Sequence, residues 1–189
     1  GIDGTKKTSE ELSGRVPFAT EKKIGINKEE ILREFPEIKD INDKILHSGI
    51  SILFLSIEKN RKNHVKEISK KLFTRNDFSQ IKIVIFLEHT FDISNTADAV
   101  WRFANNVDPK RDHLLVEDEA GVTHLSLDGT RKTKEFDNFQ RDWPNILASN
   151  DKTIARIDEI WDKLGLGKFI ESPSKKYREH LYEGGAVAK

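Results

Sequence analysis

Six histidines, His47, His64, His89, His113, His124 and His180, are the side chains best suited to metal or proton chemistry. No two of them stand at the i, i+4 spacing with which a helix offers a pair of imidazoles to one ion. Surface and capping roles account for them better. No Gly-x-Ser-x-Gly elbow marks a nucleophilic serine, and the absence of cysteine removes thiol catalysis, Fe–S ligation and disulfides. Gly165-Leu166-Gly167 is too short for a dinucleotide fingerprint and follows a helical pattern, so helix termination explains it. The carboxylates at Glu117, Asp118 and Glu119 read as a turn, and those at Asp158, Glu159 and Asp162 as a solvated helix face. No residue is marked as catalytic and none as a metal ligand.

One local pattern does point to chemistry. Ile2-Asp3-Gly4-Thr5-Lys6-Lys7-Thr8 is nearly repeated as Leu127-Asp128-Gly129-Thr130-Arg131-Lys132-Thr133. Each is a tight turn followed by positive charge, and turn amides beside a hydroxyl and cations are the ingredients of a phosphate or carboxylate site. A solvated Asp-Gly turn has the same spelling, and the residues alone leave both readings open. The match is too short to indicate a repeat architecture.

The elements that would position such a turn follow from hydrophobic periodicity. Ile50, Ile52, Leu53, Phe54, Leu55 and Ile57 form an apolar run of strand length, as do Ile81, Ile83, Val84, Ile85, Phe86 and Leu87; both read as strands buried on two faces. Between them Asn63 is placed to cap a helix with Val65, Ile68, Leu72 and Phe73 inward. Asp92, Ser94 and Asn95 supply turn and cap groups for a helix carrying Ala97, Val100, Trp101 and Ala104 on one face, and His113 to Val116 make a third short strand. If that face packs on the sheet, truncating Trp101 to alanine costs about 3 to 5 kcal/mol. Strand and helix alternating at this spacing predict a three-layer α/β domain with a mostly parallel sheet built from βαβ units. Asn150 caps a last helix with Ile154, Ile157, Trp161 and Leu164 inward. Residues 1–39 read as an N-terminal arm or linker, 40–170 as the domain and 171–189 as an extended tail, with arm and tail available to a neighbouring subunit.

Composition narrows the partners. Lys plus Arg equals Asp plus Glu at 32 each, which leaves no positive field for nucleic acid or an anionic membrane. No apolar run approaches 18 residues, so no transmembrane segment is encoded, and a cytoplasmic location is expected. The chain starts at Gly1 and has no methionine, and it is read here as a segment of a longer protein.

Several motifs, taken in order, resemble the UbiD family, the 3-polyprenyl-4-hydroxybenzoate decarboxylases and their relatives. Arg15 to Glu21 ends in Ala19-Thr20-Glu21, and Phe35-Pro36-Glu37-Ile38-Lys39-Asp40 is similar to the family's Pro-Glu-Ile-x-Asp element. Ser56-Ile57-Glu58-Lys59 with His64 resembles its strand end and following helix. Ala99-Val100-Trp101-Arg102 and Val107-Asp108-Pro109-Lys110-Arg111-Asp112 resemble its Val-x-Trp helix and Asp-Pro-x-Arg-Asp motif, the most specific of the set. Leu127 to Lys132 resembles its Ile-Asp-Ala-Thr-x-Lys segment, and Ile157 to Asp162 its last helix. Three features depart from the pattern: Glu88-His89-Thr90-Phe91-Asp92 stands where relatives show an Asp-Glu-Asp cluster, Gly129 replaces alanine, and the stretch from Glu119 to His124 is short.

What the resemblance implies is a reversible, non-oxidative decarboxylation of an aromatic or unsaturated acid, such as polyprenyl-4-hydroxybenzoate or a menaquinone precursor. The family uses prenylated flavin mononucleotide with manganese or magnesium and potassium. Its acid/base carboxylates and arginine lie in a flavin-binding domain upstream, so this segment is expected to hold no cofactor and to be inactive alone, framing the active site and supporting a homo-oligomer. The resemblance also places Lys132 where it would help fix an anionic group, the flavin phosphate, with Thr130 and turn amides assisting and Asp128 shaping the turn. Enzyme segment, assembly domain and free-standing anion-binding module are the competing classes; flavin titration and particle size separate them.

Overall fold

The computed structural model describes Thr8 and residues 25–178 and 180–182. The first copy of the repeated turn up to Lys7, the Arg15 to Glu21 motif and the paired Gly184 and Gly185 lie outside these residues. The chain divides between Arg131 and Lys132 into two compact units.

The first unit is built on a five-stranded sheet of β1 (Ile38–Asn42), β2 (Ile52–Ile57), β3 (Ile83–Glu88), β4 (His113–Glu117) and β5 (Thr123–Asp128), in the order β1-β2-β3-β5-β4. The centre is parallel: β2 pairs with β3 from Ile52↔Ile83 to Ile57↔Glu88, and β3 with β5 from Ile83↔Leu125 to Phe86↔Asp128. Both edges are antiparallel. Its helices are α1 (Lys28–Glu34), α2 (Lys44–His47), α3 (His64–Leu72) and α4 (Thr96–Asn106).

Alternation along β2 and β3 feeds two cores. Leu53, Leu55, Ile57, Val84 and Phe86 face Ile31 and Phe35 of the α1 segment and Val65, Ile68, Leu72 and Phe73 of the α3 segment. Phe54, Ile85 and Leu87 point the other way, to Phe91, Ile93 and Ala99, with Ile45 of α2 and Phe103 of α4 against them. Helices on both faces of a mixed sheet make the expected three-layer α/β arrangement.

Four expectations change. The third strand of the parallel core is β5, whereas the His113 strand is the antiparallel edge. The inward residues of β5 are His124 and Ser126, so its apolar alternation is hidden: the Ser126 hydroxyl meets Ser69 Oγ at 2.6 Å, and Ser69 donates to Val65 O. Helix α4 presents Ala99, Arg102 and Asn106 to the sheet, leaving Val100 45% and Trp101 44% exposed. The expected boundary at residue 40 falls inside β1, because Ile31, Phe35 and Ile38 are core residues. Asn63 sits in left-handed backbone (φ 57°) and makes no side-chain cap, while Asn95 and Asn150 do cap their helices.

The second unit carries α5 (Lys134–Asp137), α6 (Asp151–Ile160) and α7 (Ser174–Arg178). Ile154 is buried as expected, but Ile157 and Leu164 are exposed. Residues 171–178 and 180–182 do not leave this unit. Ser174 Oγ accepts from Ser149 N at 3.0 Å, and Tyr182 Oη donates to Trp143 O and Pro144 O at 2.7 Å.

His64, fully buried at the start of α3, is held as a neutral ring. Nδ1 accepts from Asn60 N at 3.3 Å, which leaves the proton on Nε2 to donate to Glu37 Oε1, also at 3.3 Å. Burial pushes its pKa below the ordinary 6.5, with the Arg61 charge adding and Glu37 opposing. A depressed folded-state pKa means that the unfolded chain takes up the proton first. The stability is therefore full above 6.5 and is lost as pH falls through the folded value. Thermal melts should decline from neutral pH to about pH 5, ahead of carboxylate titration, and His64→Gln should flatten that slope. Trp101→Ala should cost less than about 1 kcal/mol, since only half-exposed packing is removed; a loss of about 3 kcal/mol or more in denaturant melts would return the indole to the core.

Candidate functional site at the carboxyl ends of the parallel strands

In open α/β sheets ligands collect where parallel strands end. Here the register brings together Lys59, two residues beyond β2, Glu88 at the end of β3, and Asp128 at the end of β5. Helix α4 adds Arg102 and Asn106, and the loop before β4 adds Arg111 and Asp112.

All six ionic groups are paired. The Lys59 ammonium, on a side chain 9% exposed, donates to Thr130 Oγ1 at 2.9 Å and Arg131 O at 3.1 Å and lies 3.9 Å from Asp128 Oδ2. Arg102, with a side chain 6% exposed, sends Nε to Glu88 Oε1 at 2.7 Å with Nη2 on the same oxygen, and its guanidinium stands 5.9 Å over the Phe91 ring. Arg111 grips Asp112 with two nitrogens, Nε to Oδ1 at 2.8 Å and Nη2 to Oδ2 at 2.6 Å. The Asp-Pro-x-Arg-Asp motif is thereby a self-contained clasp. Asp108 Oδ1 accepts from the amides of Lys110 and Arg111, which hold its carboxyl below the usual range, and Asp112 Oδ2 accepts from Asp108 N. Asp112 then passes its carbonyl to Asp128 N at 2.8 Å, joining the clasp to β5.

The 128–131 turn is closed in the same way. Gly129 N donates to Phe86 O at 2.8 Å, Thr130 N to Asp128 Oδ1 at 3.0 Å and Arg131 N to Glu88 Oε2 at 3.3 Å, and the Thr130 hydroxyl also donates to Asp128. Asn106 Nδ2 holds Gly129 O at 2.8 Å. The turn lies close to β3: a Cβ at Gly129 would be 3.0 Å from Leu87 Cδ2 and 3.1 Å from Phe86 O, so an alanine would require its neighbours to give slightly.

The sequence-derived anion site is therefore rearranged. Asp128 and Thr130 stand together, but the amides expected to cradle an anion already serve the protein's own oxygens. The turn amides as built are not available to a flavin phosphate. Lys132 opens the second unit and is 2% exposed. Thr133 after it accepts from Phe136 N and donates to Asp137 Oδ2, starting α5.

In the sequence Lys59, Glu88, Arg102 and Asp112 stand out only as parts of motifs. The signal for Lys59 and Glu88 was their position directly beyond buried strands; nothing in the spelling pairs them with Thr130 or Arg102. The segment replacing the relatives' acidic cluster is structural: Phe91 is core, and Asp92 Oδ1 accepts from Ser94 N. Among the described residues, no three His, Cys, Asp or Glu side chains gather to hold a metal ion, and no helix is long and apolar enough to cross a membrane.

A cation so placed is felt when removed. Lys59→Met, which strands Asp128 and Thr130, should destabilise the chain by about 2 to 4 kcal/mol in urea unfolding. Lys39→Met, which removes the exposed Lys39–Glu58 pair and an exposed bond to Pro36 O, should barely move the midpoint.

Comparison with known proteins agrees with this arrangement of strands and motifs. The chain is 27% identical over 142 residues to an uncharacterized protein of Aquifex aeolicus and 28% over 145 residues to one of Aeropyrum pernix, each time covering 69% of this chain and 29% of the relative. It thus spans under a third of those relatives' length. Among solved structures, the closed form of vanillic acid decarboxylase from Sedimentibacter hydroxybenzoicus superposes with a TM-score of 0.54 at 16% identity, over 72% of this chain and 31% of that one, a likeness of fold. Residues 25–136, more than half of the 189, match the 3-octaprenyl-4-hydroxybenzoate carboxy-lyase C-terminal domain, from the α1 segment through the sheet to α5. The chain belongs to the UbiD decarboxylase family and carries its C-terminal domain.

Proposed function

We propose that this chain is the framing and assembly part of a decarboxylase whose chemistry is carried out by an upstream flavin-binding domain of the same protein, working in the cytoplasm as a homo-oligomer. The family match supports the reaction class, removal of carbon dioxide from an aromatic or unsaturated acid such as a polyprenyl-4-hydroxybenzoate or a menaquinone precursor. The observation that carries the framing role is the closure at the strand ends, where Lys59, Arg102 and Arg111 are committed to Asp128, Glu88 and Asp112. Groups neutralised in pairs brace a turn; they do not shuttle protons. Prenylated flavin mononucleotide, with manganese or magnesium and potassium, belongs in this proposal to the upstream part.

Within the segment singled out by resemblance, Asp128 and Thr130 hold the turn, and Lys132 supplies charge toward the flavin phosphate. In the full-length protein Lys132→Ala should lower flavin retained through purification about tenfold or more, while Lys132→Arg retains most of it. Full occupancy in the alanine variant would reduce Lys132 to a structural ion. The isolated chain should neither bind flavin in titration nor release carbon dioxide from 4-hydroxybenzoate-type acids. Tight flavin binding by the chain alone would favour a free-standing anion-binding module.

A further inference from the structure

The sheet has two edges, and the chain treats them differently. Strand β1 carries protections against pairing, a register shift between Ile38 and Asp40 and exposed charges at Lys39 and Asp40. Strand β4 has neither lysine nor proline, pairs with β5 without a bulge from His113↔Leu127 to Glu117↔Thr123, and exposes Leu115 at its centre by 62%.

The backbone parity of β4 is settled at its two ends. Asp112 O accepts from Asp128 N at 2.8 Å, and Asp118 N donates to Val122 O at 2.9 Å. Bonded positions alternate along an antiparallel pair, so Leu114 and Val116 also turn their backbone groups to β5. His113, Leu115 and Glu117 then direct N–H and C=O outward, where no further strand of the described residues lies. The same three residues share one face of the strand.

We propose that β4 pairs with β4 of a second copy of this chain, antiparallel, about a two-fold axis through Leu115. In this register every outward amide and carbonyl of the three residues meets its complement. Leu115 lies against Leu115 of the partner subunit, and His113 lies against Glu117 of the partner subunit, twice by symmetry. The His113 ring is already oriented, with Nδ1 donating to Pro109 O at 2.6 Å, so Nε2 is the nitrogen left to face the carboxylate. A slip of two residues would set Leu115 against a charged or polar neighbour and lose both imidazole–carboxylate pairs, so the side chains select the centred register. Strand addition at an open edge is a recurrent mode of recognition, here satisfied by self-complementarity. This inference rests on the edge itself, and a monomeric chain would leave the decarboxylase reading standing.

Sedimentation of the full 189-residue chain should show a dimer. His113→Glu, which faces two carboxylates across each pair, should weaken it by about tenfold, and adding Glu117→Lys should restore it. Both side chains are exposed, so circular dichroism and melting confirm that the variants are folded. The protein contains no cysteine, and bonded antiparallel partners lie about 5.5 Å apart at Cα, so Leu115→Cys should form an intermolecular disulfide on oxidation. Leu147→Cys, more exposed still at 82%, should not. A monomer at the highest soluble concentration overturns the proposal, as does a dimer indifferent to His113→Glu and uncross-linked at position 115, or a different protein found paired with β4.

Discussion

Everything in the first unit depends on the parallel pairing of β2 with β3. Two strands this apolar on both faces cannot lie against water on either side, so each face requires its own cover. The α1 and α3 segments supply one and α2 with α4 the other, and the α1 segment is thereby drawn into the body of the domain. Its Phe35, with Ile38 at the start of β1, is part of the core against β2.

The same pairing decides where the charges go. Parallel strands end together, so Lys59, Glu88 and Asp128 arrive at one edge with their side chains largely out of water. Charges in that position are tolerable only when paired and hydrogen-bonded. The chain answers with Arg102 from α4 and the Arg111–Asp112 clasp, and the turn amides are drawn into the same closure. A turn that looks in isolation like an anion cradle is thus consumed by the fold. The carboxylates of Asp128 and Glu88, at the ends of β5 and β3, accept from the turn amides.

The edges follow a separate logic. A sheet of this size has to stop somewhere, and β1 stops it with a bulge and charge. Strand β4 ends it with a regularly paired hairpin partner whose turn is tied internally, Asp118 Oδ1 accepting from Ala120 N and Val122 N. The hairpin is held from within, and among the described residues no strand lies on its outer side.

The two long apolar runs, the helices between them and the ordered family motifs were legible from the amino-acid sequence, because burial on two faces and helical periodicity leave marks that need no partner to be read. The α/β class and the family followed from these. Strand β5 was not legible, since its inward positions are His124 and Ser126, and their burial is stabilised by Ile81 O, Ser69 and the stacked Phe73 ring, all distant in sequence. Nor was the face of α4: Val100, Trp101 and Ala104 spell the more apolar stripe, but Arg102 is pulled inward by Glu88, and a buried ion pair outweighs a half-exposed indole in setting the rotation of an eleven-residue helix. The candidate site divides in the same way. Asp128, Thr130 and Lys132 could be singled out by type and spacing, whereas Lys59, which holds Asp128 and Thr130, and Glu88, which holds the Arg131 amide, meet the turn only when parallel strands align their ends, a contact between segments some 40 to 70 residues apart that local spelling does not encode.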